Sequence, residues 1–316
     1  MPDLSFREGT SADLPASFAL SERAMHDSAA RHGAVPRDPP LSEERISVDW
    51  ARQRPLIEFI AARAGGRYVI CDNDSGEMVG YARLVRFDAM EELTELMVDP
   101  GHQGMGIGRA LLERCWPGDP ASGVGRVVVA AGAPSDLSLY TGFGVMPIAG
   151  HWHMRAAVDD YRLRRSQESD APVPEVHVLT PDRAVREWGR LERDAIAHER
   201  PELHAFLARD RACLAFSPPE AERPSALCWV SAGGEIGPAI GEAAGDLMPV
   251  VLAALDRVAA GGELAHVSVY TTTLSWRLLG RLRLLGFHVF WPSWVLCSVP
   301  LPGLDRYAPT RPPHVL

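Results

Sequence analysis

The chain has 316 residues, 46% hydrophobic and 23% charged, with 32 basic against 41 acidic residues and a net charge of −9. This composition belongs to a folded globular protein with enough apolar residues for a real core, and it excludes disorder, collagen and coiled coil. The acidic balance also argues against nucleic acid and anionic membrane as partners, since both need a basic surface.

The length suits two domains. Every basic residue is arginine; the sequence contains no lysine. Residues 1–160 hold 15 Arg against 23 Asp plus Glu, whereas residues 161–316 hold 17 against 18. The five cysteines are scattered without a CxxC pair, which predicts buried free thiols in a reducing compartment. No apolar run approaches the roughly 18 residues of a membrane span, so the expected location is cytoplasmic.

In chain order, Leu4–Arg7 reads as a strand, and Thr10-Ser11-Ala12-Asp13 caps a helix running to about Ala30. The stretch His32–Leu41 is a proline-containing loop, and Glu43–Arg63 is helical with an interruption expected at Pro55. A strand meander follows over Arg67–Cys71, Met78–Arg86 and Glu92–Val98, its first turn being Asn73-Asp74-Ser75-Gly76. After Asp99-Pro100-Gly101 a glycine-rich turn opens the helix Gly108–Cys115. Arg126–Ala131 is a strand, Ser135–Thr141 a short helix, and Val145–Arg155 strand again.

The charged segment 159–174, with Pro172 and Pro174 near its end, reads as a linker. Beyond it the order of elements repeats. A strand at Glu175–Leu179 and a helix at Asp182–His198 lead to strands at Ala212–Phe216, Ala226–Ser231 and Glu235–Ile240. The helix Asp246–Ala259, the strand Ala265–Tyr270, the helix Leu274–Leu285 and strands over His288–Ser298 complete the second half.

The most informative stretch is Val98-Asp99-Pro100-Gly101-His102-Gln103-Gly104-Met105-Gly106-Ile107-Gly108-Arg109. A strand ends, glycines curl the backbone, and a helix begins; exposed amides at the positive end of a helix dipole make an anion site suited to pyrophosphate. Glycine would permit close approach of phosphate oxygens. A Walker loop needs a lysine and fails, and a dinucleotide fingerprint does not fit a turn that follows an antiparallel meander.

The stretch resembles the GNAT superfamily of acyl-CoA-dependent N-acetyltransferases, whose Gln/Arg-x-x-Gly-x-Gly/Ala signature is matched by Gln103-x-x-Gly106-x-Gly108 after Val98-Asp99-Pro100. Leu139-Tyr140-Thr141-Gly142-Phe143-Gly144-Val145 is similar to the family's later Leu-Tyr-x-x-x-Gly-Phe motif. The resemblance covers roughly residues 3–156. It implies an α/β (α+β) fold of two GNAT-like domains, each a mixed, mostly antiparallel sheet flanked by helices. The domains would be 1–158 and 175–300, followed by a proline-rich tail, 301–316.

The resemblance also implies acetyl-CoA as co-substrate, no metal, and a small-molecule or peptide amine as acceptor, in a monomer or homodimer. Gln103, Gly104, Met105, Gly106, Ile107, Gly108 and Arg109 would hold the pyrophosphate. The main chain of Leu96, Met97 and Val98 would pair with the pantetheine arm, and the amide of Met97 or Val98 would polarise the thioester carbonyl. Arg114 reads as a solvated helix-face charge.

Attack by a neutral amine needs a base, and Glu92 and Glu95 compete for it, with Glu92 preferred. Strand alternation puts Glu92 with Leu96 and Val98 on one face and Glu95 with Met97 on the other, unless the strand bulges, as family sheets often do. Tyr140 matches the family's acid for the departing thiolate; its alternative role is packing. Departures from the family occur at Ala133 and Asp136, which put the finer cofactor contacts in doubt. His151-x-His153 places two imidazoles on one strand face without a third ligand at useful spacing.

The second half keeps Leu285-Gly286-Phe287 but has Leu282 where the tyrosine would stand. At the phosphate-loop position it carries Gly237–Asp246, with Glu242 and Asp246 and no Gln/Arg-x-x-Gly-x-Gly. It resembles a degenerate GNAT domain. The rival reading of the whole is an acyl-CoA-binding or regulatory module without turnover.

Overall fold

A computed structural model describes residues 4–36, 40–118, 123–168, 175–262 and 264–310. The chain divides into two compact units, residues 1–128 and residues 129–312.

In the first unit, β1 (Ser5–Glu8) leads through a 3-10 turn to α1 (Leu14–Arg31) and α2 (Glu43–Ala64). Thr10 and Asp13 form a reciprocal capping box, and the Ser42 hydroxyl caps α2 by accepting from the Arg45 amide at 3.2 Å. Pro55 does not break α2, contrary to expectation. It lies on the exposed face, where water can take the carbonyl freed by its missing N–H.

Strands β2 (Tyr68–Asp72), β3 (Met78–Phe87) and β4 (Met90–Val98) form the antiparallel meander, with β1 beside β2. Helix α3 (Ile107–Cys115) follows, and then β5 (Gly125–Ala130), which pairs with β4 in parallel.

The second unit opens with α4 (Pro134–Thr141), β6 (Met146–Ala157) and α5 (Val158–Ser166). Of the stretch read as a linker, 159–166 is thus helical with Tyr161 buried, and 169–174 lie outside the described residues. Next come β7 (Val176–Leu179), α6 (Pro181–Ile196), α7 (Pro201–Leu207), β8 (Arg211–Phe216), β9 (Ala226–Ser231) and β10 (Ile236–Gly241). The order ends with α8 (Leu247–Ala260), β11 (His266–Thr272), α9 (Trp276–Leu284), β12 (His288–Cys297) and a short β13 (Tyr307–Ala308).

Strands β7, β8, β9, β10 and β13 form one antiparallel sheet in the order 13-10-9-8-7. The apolar helix α8 packs on it, burying Leu247, Val250, Val251 and Leu255 in a core shared with Met154, Val267 and Leu282. Strand β6, which by element order closes the first repeat, lies between β11 and β12 of the second and pairs antiparallel with both.

The element order strand, two helices, three strands, helix, strand, helix, strand therefore occurs twice. Each repeat builds on an antiparallel meander flanked by helices, as the α+β reading expects.

Candidate active site

Strand β4 carries the site's first feature. Its register with β3 slips between Arg83↔Glu95 and Leu84↔Leu93, leaving Thr94 as an extra residue whose hydroxyl donates to the Arg83 carbonyl at 3.0 Å. This bulge overturns simple alternation. Glu95 lies opposite Arg83 and Glu92 opposite Val85, so both glutamates share one face of the sheet with Met97. Leu93, Leu96 and Val98 share the other. That second face meets α3, because a Cβ at Gly80 would sit 3.0 Å from Ile107.

The two glutamates differ in their surroundings. Glu95 is buried in a polar knot: Tyr81 donates to its Oε1 at 2.8 Å, and Arg83 Nε lies 3.0 Å from its Oε2. Arg83 in turn donates to the Ser17 hydroxyl of α1 at 2.9 Å and stacks over the Tyr68 and Tyr81 rings. Burial raises the Glu95 carboxyl above the ordinary range, and the ion pair with Arg83 and the Tyr81 hydrogen bond only partly oppose it. Glu92 is equally buried.

Beyond the bulge, β4 outruns its parallel neighbour. The β4–β5 register runs from Met90↔Gly125 to Leu93↔Val128, whereas β4 continues to Val98. Leu96, Met97 and Val98 are half-buried, on the stretch that β5 leaves uncovered. This is an edge on which an extended amide-bearing arm can add as a strand does.

At the end of that edge comes the glycine turn. Asp99 Oδ1 accepts from the Gly101 amide at 2.9 Å, and His102 Nδ1 lies 2.9 Å from the same oxygen. Gln103 Nε2 donates to the Val98 carbonyl at 3.2 Å, and its Oε1 accepts from Arg31 at 3.1 Å. The Gln103 side chain therefore ties the turn to the strand end and to α1.

Gly104 and Gly106 have φ of +80° and +84°, with nothing within 4 Å of an added Cβ. Glycine is required by backbone conformation here, in addition to any need for ligand clearance. Gly106 is the N-cap of α3, and the amides of Gly106, Ile107, Gly108 and Arg109 precede any carbonyl that the helix could offer them. Gly104, Met105 and Gly106 are exposed. Open amides at a helix start fit a pyrophosphate, and the edge of β4, unpaired beyond Leu93 on the β5 side among the described residues, fits an amide-bearing arm.

Arg114 covers the Phe6 ring at 3.8 Å and donates to the Ala110 carbonyl, so it serves local packing. Tyr140 lies in the second unit, near the end of α4. It is buried, and desolvation, with Asp136 adding to it, holds its phenol well above the ordinary range.

His151 and His153 are also in the second unit. His151 is buried against Ser293 and the Thr310 carbonyl, with its imidazole pushed down to about 4 by burial, and His153 stacks on Tyr270 at 4.4 Å. Among the described residues no group of three or more His, Cys, Asp or Glu is arranged to hold a metal, and no helix is long and apolar enough to cross a membrane.

In the second repeat the corresponding turn, 242–246, is built differently. The Glu242 amide donates to Ser225 and the Asp246 amide to Ala243, which uses up amides that an anion would need. Glu242 also pairs with Arg190. Cβ clearance at Gly241 is only 2.8 Å from the Ala243 carbonyl.

Sequence alone did not point to Thr94, Tyr81, Arg83 or Arg31. The signal for the bulge was Leu93 and Leu96, two apolar residues three apart in a strand, which share a face only if one residue is extra.

The acetyltransferase (GNAT) domain model matches residues 64–144, the meander, the turn and α4. Mycothiol acetyltransferase from Cellulomonas flavigena is 29% identical over 202 residues, which are 62% of this chain and 54% of that protein. The chain thus spans about half the length of that relative. Among solved structures, one from Pyrococcus horikoshii, provisionally named an acetyltransferase, aligns with a TM-score of 0.69 at 12% identity, covering 99% of this chain and 96% of that one. A tandem GNAT protein from the clavulanic acid biosynthesis pathway aligns with a TM-score of 0.52 at 16% identity, covering 94% and 99%. Residues 64–144 thus match the acetyltransferase (GNAT) domain model, and over nearly its whole length the chain shares the fold of these solved structures.

Proposed function

We propose that the first repeat transfers an acetyl group from acetyl-CoA to the amine of a small molecule or peptide by direct attack. The observation that carries this reading is the continuous run from the uncovered edge of Leu96–Val98 into the glycine turn at the start of α3. The amides of Gly104–Arg109 would hold the pyrophosphate, and the main chain of Leu96–Val98 would hold the pantetheine arm. Acetyl-CoA supplies an activated acyl carbon whose thiolate can depart.

The amine nitrogen bonds to that carbon, the C–S bond breaks, and the nitrogen gives up one proton. Glu92 is the base for that proton, directly or through one water. Glu95 is committed to Arg83 and Tyr81 and holds the strand in place. The amide of Met97 or Val98 polarises the carbonyl. Tyr140, assigned by the family motif, keeps its proton firmly and so acts as a hydrogen-bond donor to the departing sulfur.

The excess acid of residues 1–160 suits a cationic amine. The relative named for mycothiol favours a small molecule over a peptide.

The test is thiol release from acetyl-CoA with a panel of amines: aminoglycosides, polyamines, amino acids and peptide N-termini. Release with at least one of them, abolished by Glu92→Gln, is expected. Acetyl-CoA binding without release for any amine would favour a binding module, and no acetyl-CoA affinity at all would end the reading. Calorimetry with longer acyl-CoAs sets the acyl preference.

A further inference from the structure

The two repeats treat one strand edge in opposite ways. In the first, β4 passes its bulge and runs on beyond β5. In the second, β10 also slips register, between Ile236 and Ala239, but its continuation is covered: Ala239 pairs with Ala308 and Ile240 with Tyr307 of β13. We propose that the segment 303–310 is a built-in ligand of the second repeat, its Tyr307–Ala308 paired as a strand where, among the described residues, the first repeat leaves its edge open, so that the second repeat holds its own chain in place of an acyl-CoA.

The segment is seated as a ligand would be, with apolar groups inward and polar groups matched. Leu304, Tyr307 and Ala308 are buried. The Tyr307 hydroxyl accepts from Arg200, a fully buried guanidinium that also donates to the buried Glu192 carboxylate. The Leu304 carbonyl accepts from the Thr272 hydroxyl, and the Gly303 amide donates to the Ala195 carbonyl at 2.7 Å. Gly303 has no spare room, since an added Cβ would come within 2.5 Å of Ala195 Cα.

The polarity of the turn is reversed to match. The first repeat offers open amides at 104–109, which suit an anion. The second offers a carbonyl, and the tail fills it with a cation: Arg306 Nη1 donates to the Glu242 carbonyl at 2.7 Å. A phosphate at this turn would meet the Glu242 and Asp246 carboxylates, whereas a guanidinium is welcome. The same fold position thus recognises an arginine-bearing peptide strand.

Hydrogen exchange on the intact chain tests this directly. Residues 236–241 are expected to exchange as slowly as β9, and Ala308→Asp, which places a charge in the buried slot, should speed that segment about tenfold or more while β2–β4 are unchanged. A chain ending at Pro300 should melt at a lower temperature and recover on titration with a synthetic peptide of residues 300–310. If that truncation does not fold, the exchange comparison of Ala308→Asp decides alone. Fast exchange at 236–241 in the intact chain, or two acetyl-CoA molecules bound per chain, would overturn the proposal. Calorimetry separates the two readings: one acetyl-CoA per chain supports both, and none overturns the first repeat's role while slow exchange still supports the seated tail.

Discussion

Two glutamates three residues apart on one strand face have been given different work by their neighbours. Glu95→Ala leaves the buried Arg83 guanidinium and the Tyr81 hydroxyl without the carboxyl they share, and loss of one partner of such a pair costs about 3–5 kcal/mol. A large fall in melting temperature is therefore expected for that variant. Glu92→Gln should lower kcat about 100-fold or more, with KM for acetyl-CoA little changed. A Glu92→Gln variant with full kcat would remove Glu92 from the base role. Tyr140→Phe should lower kcat about tenfold or more without changing acetyl-CoA binding, as loss of a donor to the departing sulfur requires.

Buried carboxylates in the two units also respond to acid with opposite sign. Glu95 is raised, so the folded state binds its proton more readily than the unfolded state. Its contribution is greatest at low pH and fades as pH rises through the folded value. Burial pushes Glu192 up, but Arg200 and His204 outweigh that and lower it from 4.5 to about 2. The stability from Glu192 is complete above about pH 4.5 and is lost as pH falls toward 2. His204, held neutral by burial, adds loss of the same sign. It stacks on Trp188 at 4.3 Å and accepts from Trp229 Nε1 at 3.0 Å. In an acid titration the fluorescence of this tryptophan pair should change between about pH 4.5 and 2. Glu192→Gln should remove most of the pH dependence in that window.

At the level of elements, the turn before α3 is specified by torsion. Gly106→Ala has room for its methyl but must hold φ near +84°, a strain of about 1–2 kcal/mol. The expected result is a melting temperature lower by a few degrees and a higher KM for acetyl-CoA at similar kcat. The meander, α3 and α4 were legible because apolar periodicity, turn residues and caps all agree there. Pro55 misled because a propensity rule took no account of the exposed side of α2. The bulge at Thr94 was only half legible, since one extra residue in a strand inverts every later side chain. Strand β13 was hidden because Tyr307-Ala308 is two residues inside a proline-rich stretch, and only the partner edge of β10 makes it a strand. The knot of Tyr81, Arg83 and Glu95 joins residues whose contact depends on register, which composition does not carry.

For the whole molecule, the cysteines behave as their scattered spacing implies. All five are free and buried, and burial pushes the Cys115 and Cys213 thiols up to about 12. A thiol reagent at neutral pH should leave the native chain unlabelled and modify five sites in denaturant.

The position of β6 bears on how the chain can be divided. The strand that ends the first repeat has both of its neighbours, β11 and β12, in the second. A nick within 169–174 would therefore strand β6 on a piece lacking both partners, and leave the other piece with a slot through its sheet. The halves should behave as a split protein. Residues 1–168 and 175–316, co-expressed, are expected to co-purify as a complex, whereas either fragment alone should aggregate. Recovery of two independently soluble, monomeric fragments would show that the shared strand is dispensable.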